Sequence, residues 1–582
     1  MRSAKPFRPL MLAIAMALPL LSSPLLSAPS YADEPIFSYM ATAQPVWAQH
    51  GMVASQESVA SHVGVEILKQ GGNAVDAAVA VAFSLAVTLP RAGNIGGGGF
   101  MLVHLAKDNK TIAIDYREMA PSHADKDMFL DEQGNAVDKL SREHGLAVGV
   151  PGTVMGMNLA LEKYGTMSLA QVIAPAIKLA EQGFSVTPDL AVSLSGLKRR
   201  VGQWPTTAAI FYKADGSDYQ VNEVLKQPEL GHSLRLIAEH GVKGFYEGET
   251  ATKLVEAVKD AGGIMTLADL KNYKAVEREP IHGTYRGYEV VSMPPPSSGG
   301  VHIIEMLNVL QQFPIDKLGQ NTAQTIHLMA ETMKHAYADR SEYLGDPDFY
   351  KVPTTALTST DYAKKIAAQI AVNKATPSTE IKPGNLAPYE SDQTTHFSVV
   401  DKWGNAVSNT YTLNFSYGSG LVAKGTGILL NNEMDDFSAK PGTPNGYGLV
   451  GGDANAVEGN KRPLSSMSPT IVMKDNKPFL VTGSPGGSRI ITTTLQIIMN
   501  VIDHGMNIAE ASNAARIHHQ WLPDELRVES SLNRDTISLL EAKGHKVKVQ
   551  SAMGSTQSIM VTDQGIFGAS DLRSSGSEAV GY

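Results

Sequence analysis

The chain of 582 residues contains no cysteine. Disulfide stabilisation, thiol catalysis and thiolate metal sites are therefore excluded, and stability must come from core burial. Other absences narrow the function further. The net charge is -9, so there is no basic excess to attract nucleic acid. No internal run has the length and apolar purity of a membrane-spanning helix. HExxH is missing, and apart from the adjacent pair His518–His519 the histidines show no ligand spacing, so no metal or cofactor is expected. The glycine run Gly96–Gly99 lacks the Lys-Ser/Thr of a phosphate loop and reads as a place where backbone passes close to another segment. No G-x-S-x-G nucleophile elbow stands between a strand and a helix.

What is present is a globular composition, 43% hydrophobic and 18% charged. The first residues stand apart. Arg2, Lys5 and Arg8 precede the apolar run Leu10 to Leu21, and Ser30 and Ala32 offer small side chains before Asp33. This is the build of a secretory signal peptide over residues 1–32.

Residues 58–90 predict two helices broken by GGN, the second rich in alanine and buried. Phe100–His104 and Thr111–Tyr116 predict a hairpin that ends at Arg117. Helical stripes dominate from about 140 to 380, and IKPGNLAPYESDQ, 381–393, reads as an exposed connector. After residue 394 strands take over: THFSVVD and AVSNTYTLN flank the tight turn KWGN, followed by GILLNN, PTIVMK, PFLVTG, VKVQ and QSIMVT. Helices are expected at ITTTLQIIMNVIDHG and NIAEASNAAR. The expected class is α/β, with stacked antiparallel sheets covered by helices.

Two features carry candidate chemistry. GSPGGS, 483–488, is a loop suited to exposing the backbone N–H groups of Gly486 and Gly487, as an oxyanion hole requires. QTTHFSVVD, 393–401, opens a strong strand directly after a polar connector. A Thr-Thr pair at a strand start is ordinarily structural. If the chain is cut before Thr394, however, that residue supplies both a hydroxyl and an α-amine. An α-amine has a pKa of about 7.7–8.0, so the nucleophile carries its own base.

The motifs QTTHFSVVD, TYTLN, LLNNEMDDF, KRPLSSMSPT and VTGSPGGSRI, with YREMAP upstream, make the chain from about Gln44 to Tyr582 resemble the γ-glutamyltransferase (γ-glutamyltranspeptidase) family, bacterial periplasmic members in particular. The resemblance implies an N-terminal-nucleophile hydrolase αββα sandwich. It implies self-cleavage between Gln393 and Thr394 into a large subunit, 33–393, and a small one, 394–582, that stay together as a heterodimer. Thr394 would form a γ-glutamyl ester and Thr412 would hydrogen-bond it, with Gly486 and Gly487 as the oxyanion hole. Arg117, Ser465 and Ser466 would hold the donor's α-carboxylate. Glu433 and Asp436, helped by Asn414, would hold its α-ammonium at the opposite end. Tyr447, in the glycine- and proline-rich stretch from Pro441 to about Gly452, would wall the pocket as part of a lid. The implied substrates are small γ-glutamyl donors such as glutathione, with water, amino acids or peptides as acceptors. No cofactor, nucleic acid or, after signal removal, membrane is implied. Two alternatives remain: a cephalosporin or glutaryl acylase of the same fold, and a non-enzymatic exported glutamyl-peptide binding protein.

Overall fold

The structure is a computed structural model that describes residues 41–382, 394–440 and 451–582. The expected signal peptide, the connector 383–393 with Gln393, and Tyr447 lie outside the described residues.

Two seven-stranded antiparallel sheets face each other. In spatial order the first consists of Glu578–Gly581, Met52–Ser55, Thr395–Val400, Ala406–Thr412, Gly98–Leu105, Lys110–Tyr116 and Val276–Arg278. The second consists of Val46–Ala48, Gly565–Ser570, Gln557–Thr562, Lys477–Thr482, Thr470–Lys474, Tyr288–Ser292 and Ile281–Tyr285. Each sheet mixes strands from before and after residue 394, so neither expected subunit holds a complete sheet.

Helices cover both outer faces, giving the αββα sandwich. The helices Ser58–Lys69 and Ala74–Thr88 pack behind the first sheet, while Gly299–Leu310, Ala323–Tyr343 and Arg489–Ile502 pack behind the second. Between the sheets lies a third apolar layer that includes Met52, Phe100, Leu102, Val291, Ile471, Val481 and Ile559. Burial of each such large side chain contributes about 1.5–3 kcal/mol, which is how a chain without disulfides holds together.

Local chemistry explains the elements that carry the site. Asn73 caps the alanine-rich helix by accepting from Val75 N and Asp76 N, and Asp76 returns the bond to Asn73 N. The turn between the central strands is closed by Asp401, whose carboxylate accepts from Trp403 N and Asn405 N. Its other oxygen accepts from Ala74 N at 2.9 Å, fixing the hairpin to that helix. All side chains of Thr395–Val400 and Ala406–Thr412 are buried, because the hairpin lies between a helix layer and the second sheet. The glycine run behaves as its lack of side chains demands. A Cβ on Gly97 would lie 1.9 Å from the Thr412 carbonyl oxygen, and one on Gly96 the same distance from Leu429 O.

Helices dominate 140–380 as expected, but Val276–Arg278, Ile281–Tyr285 and Tyr288–Ser292 are strands not foreseen there, and they complete both sheets. One expectation needs correction. GILLNN does not join the main sheets; its Ile428–Leu429 pairs only with Val422–Ala423. That segment leads instead into the turn bearing Glu433 and Asp436.

Candidate active site

Pairing sets the first contact. Thr395 lies opposite Tyr411 in the central hairpin, which brings Thr394 across from Thr412. Thr394 Oγ1 donates to Thr412 Oγ1 at 3.4 Å, and Asn414 N donates to the same oxygen at 2.8 Å. Asn414, two residues past the strand, is in the left-handed region at φ 74°, and its Nδ2 donates to Asn432 O. The strand end is thereby tied to the turn Glu433–Asp436. Asn431 fixes that turn from behind: its Oδ1 accepts from Glu433 N and Gly149 N, and its Nδ2 donates to Gly96 O.

Arg117 follows strand Lys110–Tyr116 and is fully buried. Its Nη1 pairs with Glu433 and its Nη2 with Asp436, and its Nε donates to Pro463 O at 3.2 Å. The expectation of a cation and anions at opposite ends of the pocket is therefore wrong for this state of the site. A buried charge left alone costs far more than one paired, and here Arg117 is paired with both carboxylates at once. Glu118 crowds the same guanidinium at 3.6 Å, and neither of its oxygens has a hydrogen-bond partner. Burial pushes the Glu118 carboxyl up to about 7, against the opposing pull of Arg117. Burial likewise raises Glu433 and Asp436, with Arg117 again pulling the other way. Burial and mutual repulsion thus hold all three acids above the usual carboxylate range, with the guanidinium opposing the shift.

The remaining wall brings in Ser465, Ser466, Met467, Gly487, Ser488, Ile490 and Arg340 around one cavity. Arg340 was not singled out in the sequence, where it sits inside a helical stripe. On helix Ala323–Tyr343 its Nε donates to Ser298 Oγ at 2.9 Å and its Nη2 to Ser466 Oγ at 3.2 Å. Burial lowers this guanidinium to about 10. Ser298 N and Oγ both donate to Ser465 O, so the serine pair rests on Arg340 and Ser298.

Gly486 and Gly487 adopt φ 133° and 54°, values that suit glycine. Arg489 N and Ile490 N donate back to Gly486 O and Gly487 O, while the two glycine N–H groups have no acceptor among the described residues. Gly487 lines the cavity and Gly486 stands beside it.

Of the predicted set, Thr394, Thr412, Arg117, Asn414, Glu433, Asp436, Ser465, Ser466 and Gly487 line one cavity. Tyr447 and Gln393 fall outside the described residues. His518 and His519 pack and hydrogen-bond as expected, with Thr492 and Gln520 and with Asp524 respectively. A different trio was missed: His327, Glu331 and His545 have donor atoms within 4.8 Å of one another. His545 comes from a distant segment, so no spacing revealed it. Lys334 Nζ lies 2.8 Å from Glu331 and supplies its counter-charge, and the group anchors the backbone at Ala371 and Thr376.

The family model described as Gamma-glutamyltranspeptidase matches residues 60–581. A glutathione hydrolase proenzyme of Escherichia coli (strain K12) is 61% identical over 540 residues, covering 92% of this chain and 93% of that protein. Among solved structures, a cephalosporin acylase from Bacillus halodurans superposes with a TM-score of 0.81 at 30% identity, covering 95% of this chain and 99% of its own. Helicobacter pylori gamma-glutamyltranspeptidase superposes with a TM-score of 0.56 at 46% identity, over 59% of this chain and 97% of its own.

Proposed function

The chain belongs to the γ-glutamyltranspeptidase family, and from that premise we propose that it is a self-processing γ-glutamyltransferase and glutathione hydrolase whose nucleophile is Thr394. The observation that carries the reading is the convergence of Thr394, Thr412, Gly487 and the Arg117–Glu433–Asp436 cluster on one cavity.

Maturation comes first. While residue 394 is joined to residue 393 its nitrogen is an amide and cannot act as a base. The Thr394 hydroxyl attacks the Gln393 carbonyl, the acyl group moves from nitrogen to oxygen, and water hydrolyses the ester. The new α-amine is then the general base. Residues 33–393 become the large subunit and 394–582 the small one. Because both sheets draw strands from each, the two remain a heterodimer.

In turnover the α-amine takes the Thr394 hydroxyl proton as the oxygen attacks the donor's γ-carbonyl. The developing oxyanion is held by the N–H groups of Gly486 and Gly487. Collapse expels the donor's amine, which takes the proton, and leaves the γ-glutamyl ester on Thr394. Water or an amino acid or peptide amine then attacks that ester, releasing glutamate or a new γ-glutamyl amide.

The far end of the glutamyl group is a zwitterion, and the Arg117 cluster suits it. Its carboxylate takes the guanidinium, with Ser465 and Ser466 adding donors, while its ammonium takes Glu433, Asp436 and the Asn414 side chain. The zwitterion adds no net charge, so it can exchange for the Arg117 ion pairs without leaving a buried charge uncompensated. An acylase acting on glutaryl groups has no ammonium to bind and no use for the two acids. A binding protein has no use for a threonine beside empty backbone donors. The segment Pro441–Gly452 with Tyr447 serves as the lid, and residues 1–32 direct export to the periplasm.

The test is the intact mass and N-terminal sequence of purified protein, with turnover of γ-glutamyl and glutaryl anilides on the same sample. Two chains, one beginning at Thr394, and preference for the γ-glutamyl compound support the reading. A single chain, or preference for the glutaryl compound, overturns it.

A further inference from the structure

The oxyanion loop is held by a group the reaction scheme does not use. Tyr337, on helix Ala323–Tyr343, is buried, and its hydroxyl donates to the carbonyl oxygen of Ser488, the residue after Gly487. Ser488 Oγ donates to Gln520 Oε1 at 2.8 Å. Gln520 Oε1 also lies 3.0 Å from His518 Nε2, and the His518 ring meets the Tyr337 ring edge-on at 5.6 Å. Burial pushes His518 down to about 3, so the ring is neutral and donates its single N–H to Gln520. The carbonyl and the hydroxyl of Ser488 are thus gripped separately, each by a buried partner.

Tyr337 precedes Arg340 by three residues, nearly one helical turn, so both face the same side of the helix. Arg340 reaches Ser466 at the carboxylate end of the cavity, and Tyr337 reaches Ser488 at the oxyanion end. One rigid helix therefore spans the two ends that a γ-glutamyl group must bridge. Oxyanion donors act by being already aimed when charge develops, so a small shift of the Gly486–Ser488 backbone, which Tyr337 holds at the Ser488 carbonyl, weakens them.

The geometry points to Tyr337 as a positioning residue that, with Gln520, aims the Gly486–Gly487 amides at the transition-state oxyanion. It touches no substrate and acts through Ser488. The inference rests on the γ-glutamyl reading of the site.

The experiment compares wild type with Y337F, which keeps the ring and removes the hydroxyl, and with Q520A, which frees the other side of Ser488. The readouts are subunit cutting, kcat and KM with a γ-glutamyl anilide, and affinity for a γ-boronate analogue of glutamate, whose tetrahedral adduct needs the oxyanion donors. Both variants should be cut, with KM within about twofold of wild type and kcat lower by about tenfold, short of the 10²–10³ typical of losing a donor outright. Boronate affinity should fall in step with kcat. Unchanged kcat, a change in KM alone, or lower kcat with undiminished boronate affinity overturns the inference. So does failure of both variants to be cut, which would assign these contacts to the fold. Wild type that leaves the anilide intact sinks the γ-glutamyl reading itself; active wild type with unchanged Y337F sinks this inference alone.

Discussion

Thr394 Oγ1 lies 3.4 Å from Thr412 Oγ1, held there by the pairing of two central strands. The contact is long for an O–H···O hydrogen bond. It belongs to a hydroxyl positioned by backbone geometry and able to turn toward a carbonyl. Thr412 Oγ1 also accepts from Asn414 N at 2.8 Å, which fixes the acceptor.

The first prediction follows from that arrangement. Thr394→Ala has no oxygen to attack residue 393 and should remain a single inactive chain on a denaturing gel. Thr394→Ser keeps the oxygen but loses the methyl that restricts rotation, so it should be cut more slowly. Two subunits from Thr394→Ala would mean that an outside protease makes the cut.

A second prediction concerns Arg117. Lysine has a single ammonium in place of the fork that reaches Glu433 and Asp436 together. Loss of one partner of a desolvated charge pair typically costs about 2–5 kcal/mol, so Arg117→Lys should lower kcat/KM by about 30-fold or more. Cutting uses Thr394 and its preceding peptide bond, and should persist. Normal kinetics in a cut variant would remove Arg117 from the donor site.

The hairpins, the buried alanine helix and the central strands were legible in the sequence because each rests on local signals: Asn73 as a cap, Asp401 and Gly404 in a turn, alternating β-branched residues. That Arg117, Glu433 and Asp436 belong to one site was legible from motif likeness, but their ion pairing was not. The pairing of Arg117 with Glu433 depends on segments 316 residues apart coming together in a buried position. Arg340 and Tyr337 were hidden for a related reason. In a helix whose other residues are read as a packing stripe, periodicity does not tell a pocket residue from a core one. The strands at 276–292 were missed because Val276–Arg278 and Ile281–Tyr285 are short sheet edges, which need little hydrophobic pattern.

A third prediction uses Glu118, whose carboxyl burial raises from 4.5 to about 7. A folded-state pKa above the unfolded one means that the folded chain binds more protons between those values. Stability is then fully present below about pH 4.5 and declines as pH rises through 7, by on the order of 3 kcal/mol from this group. In the uncut Thr394→Ala background, Glu118→Gln should flatten the fall in Tm across that window. An unchanged pH profile would show that Glu118 is already ionised in the fold.

The last prediction separates the transferase from an acylase through Asp436. Its carboxylate lies at 2.5 Å from Arg117 Nη2 and is proposed to turn to the donor's ammonium when the carboxylate end engages Arg117. Asp436→Asn keeps the size and a carbonyl oxygen but removes the charge. With a γ-glutamyl anilide the ammonium then loses a desolvated counter-ion, and kcat/KM should fall by about 30-fold or more. With a glutaryl anilide, which keeps the terminal carboxylate but has no ammonium, no such interaction exists to be lost. Removing the Asp436 carboxylate should leave that turnover unchanged or raise it, because one acid fewer crowds the acyl chain. The ratio of the two kcat/KM values is the informative quantity, since a general loss of folded enzyme lowers both equally. A ratio that shifts toward glutaryl by an order of magnitude or more places Asp436 on the ammonium. Equal losses on both substrates would instead make Asp436 a structural partner of Arg117, leaving Glu433 as the residue to test for ammonium binding.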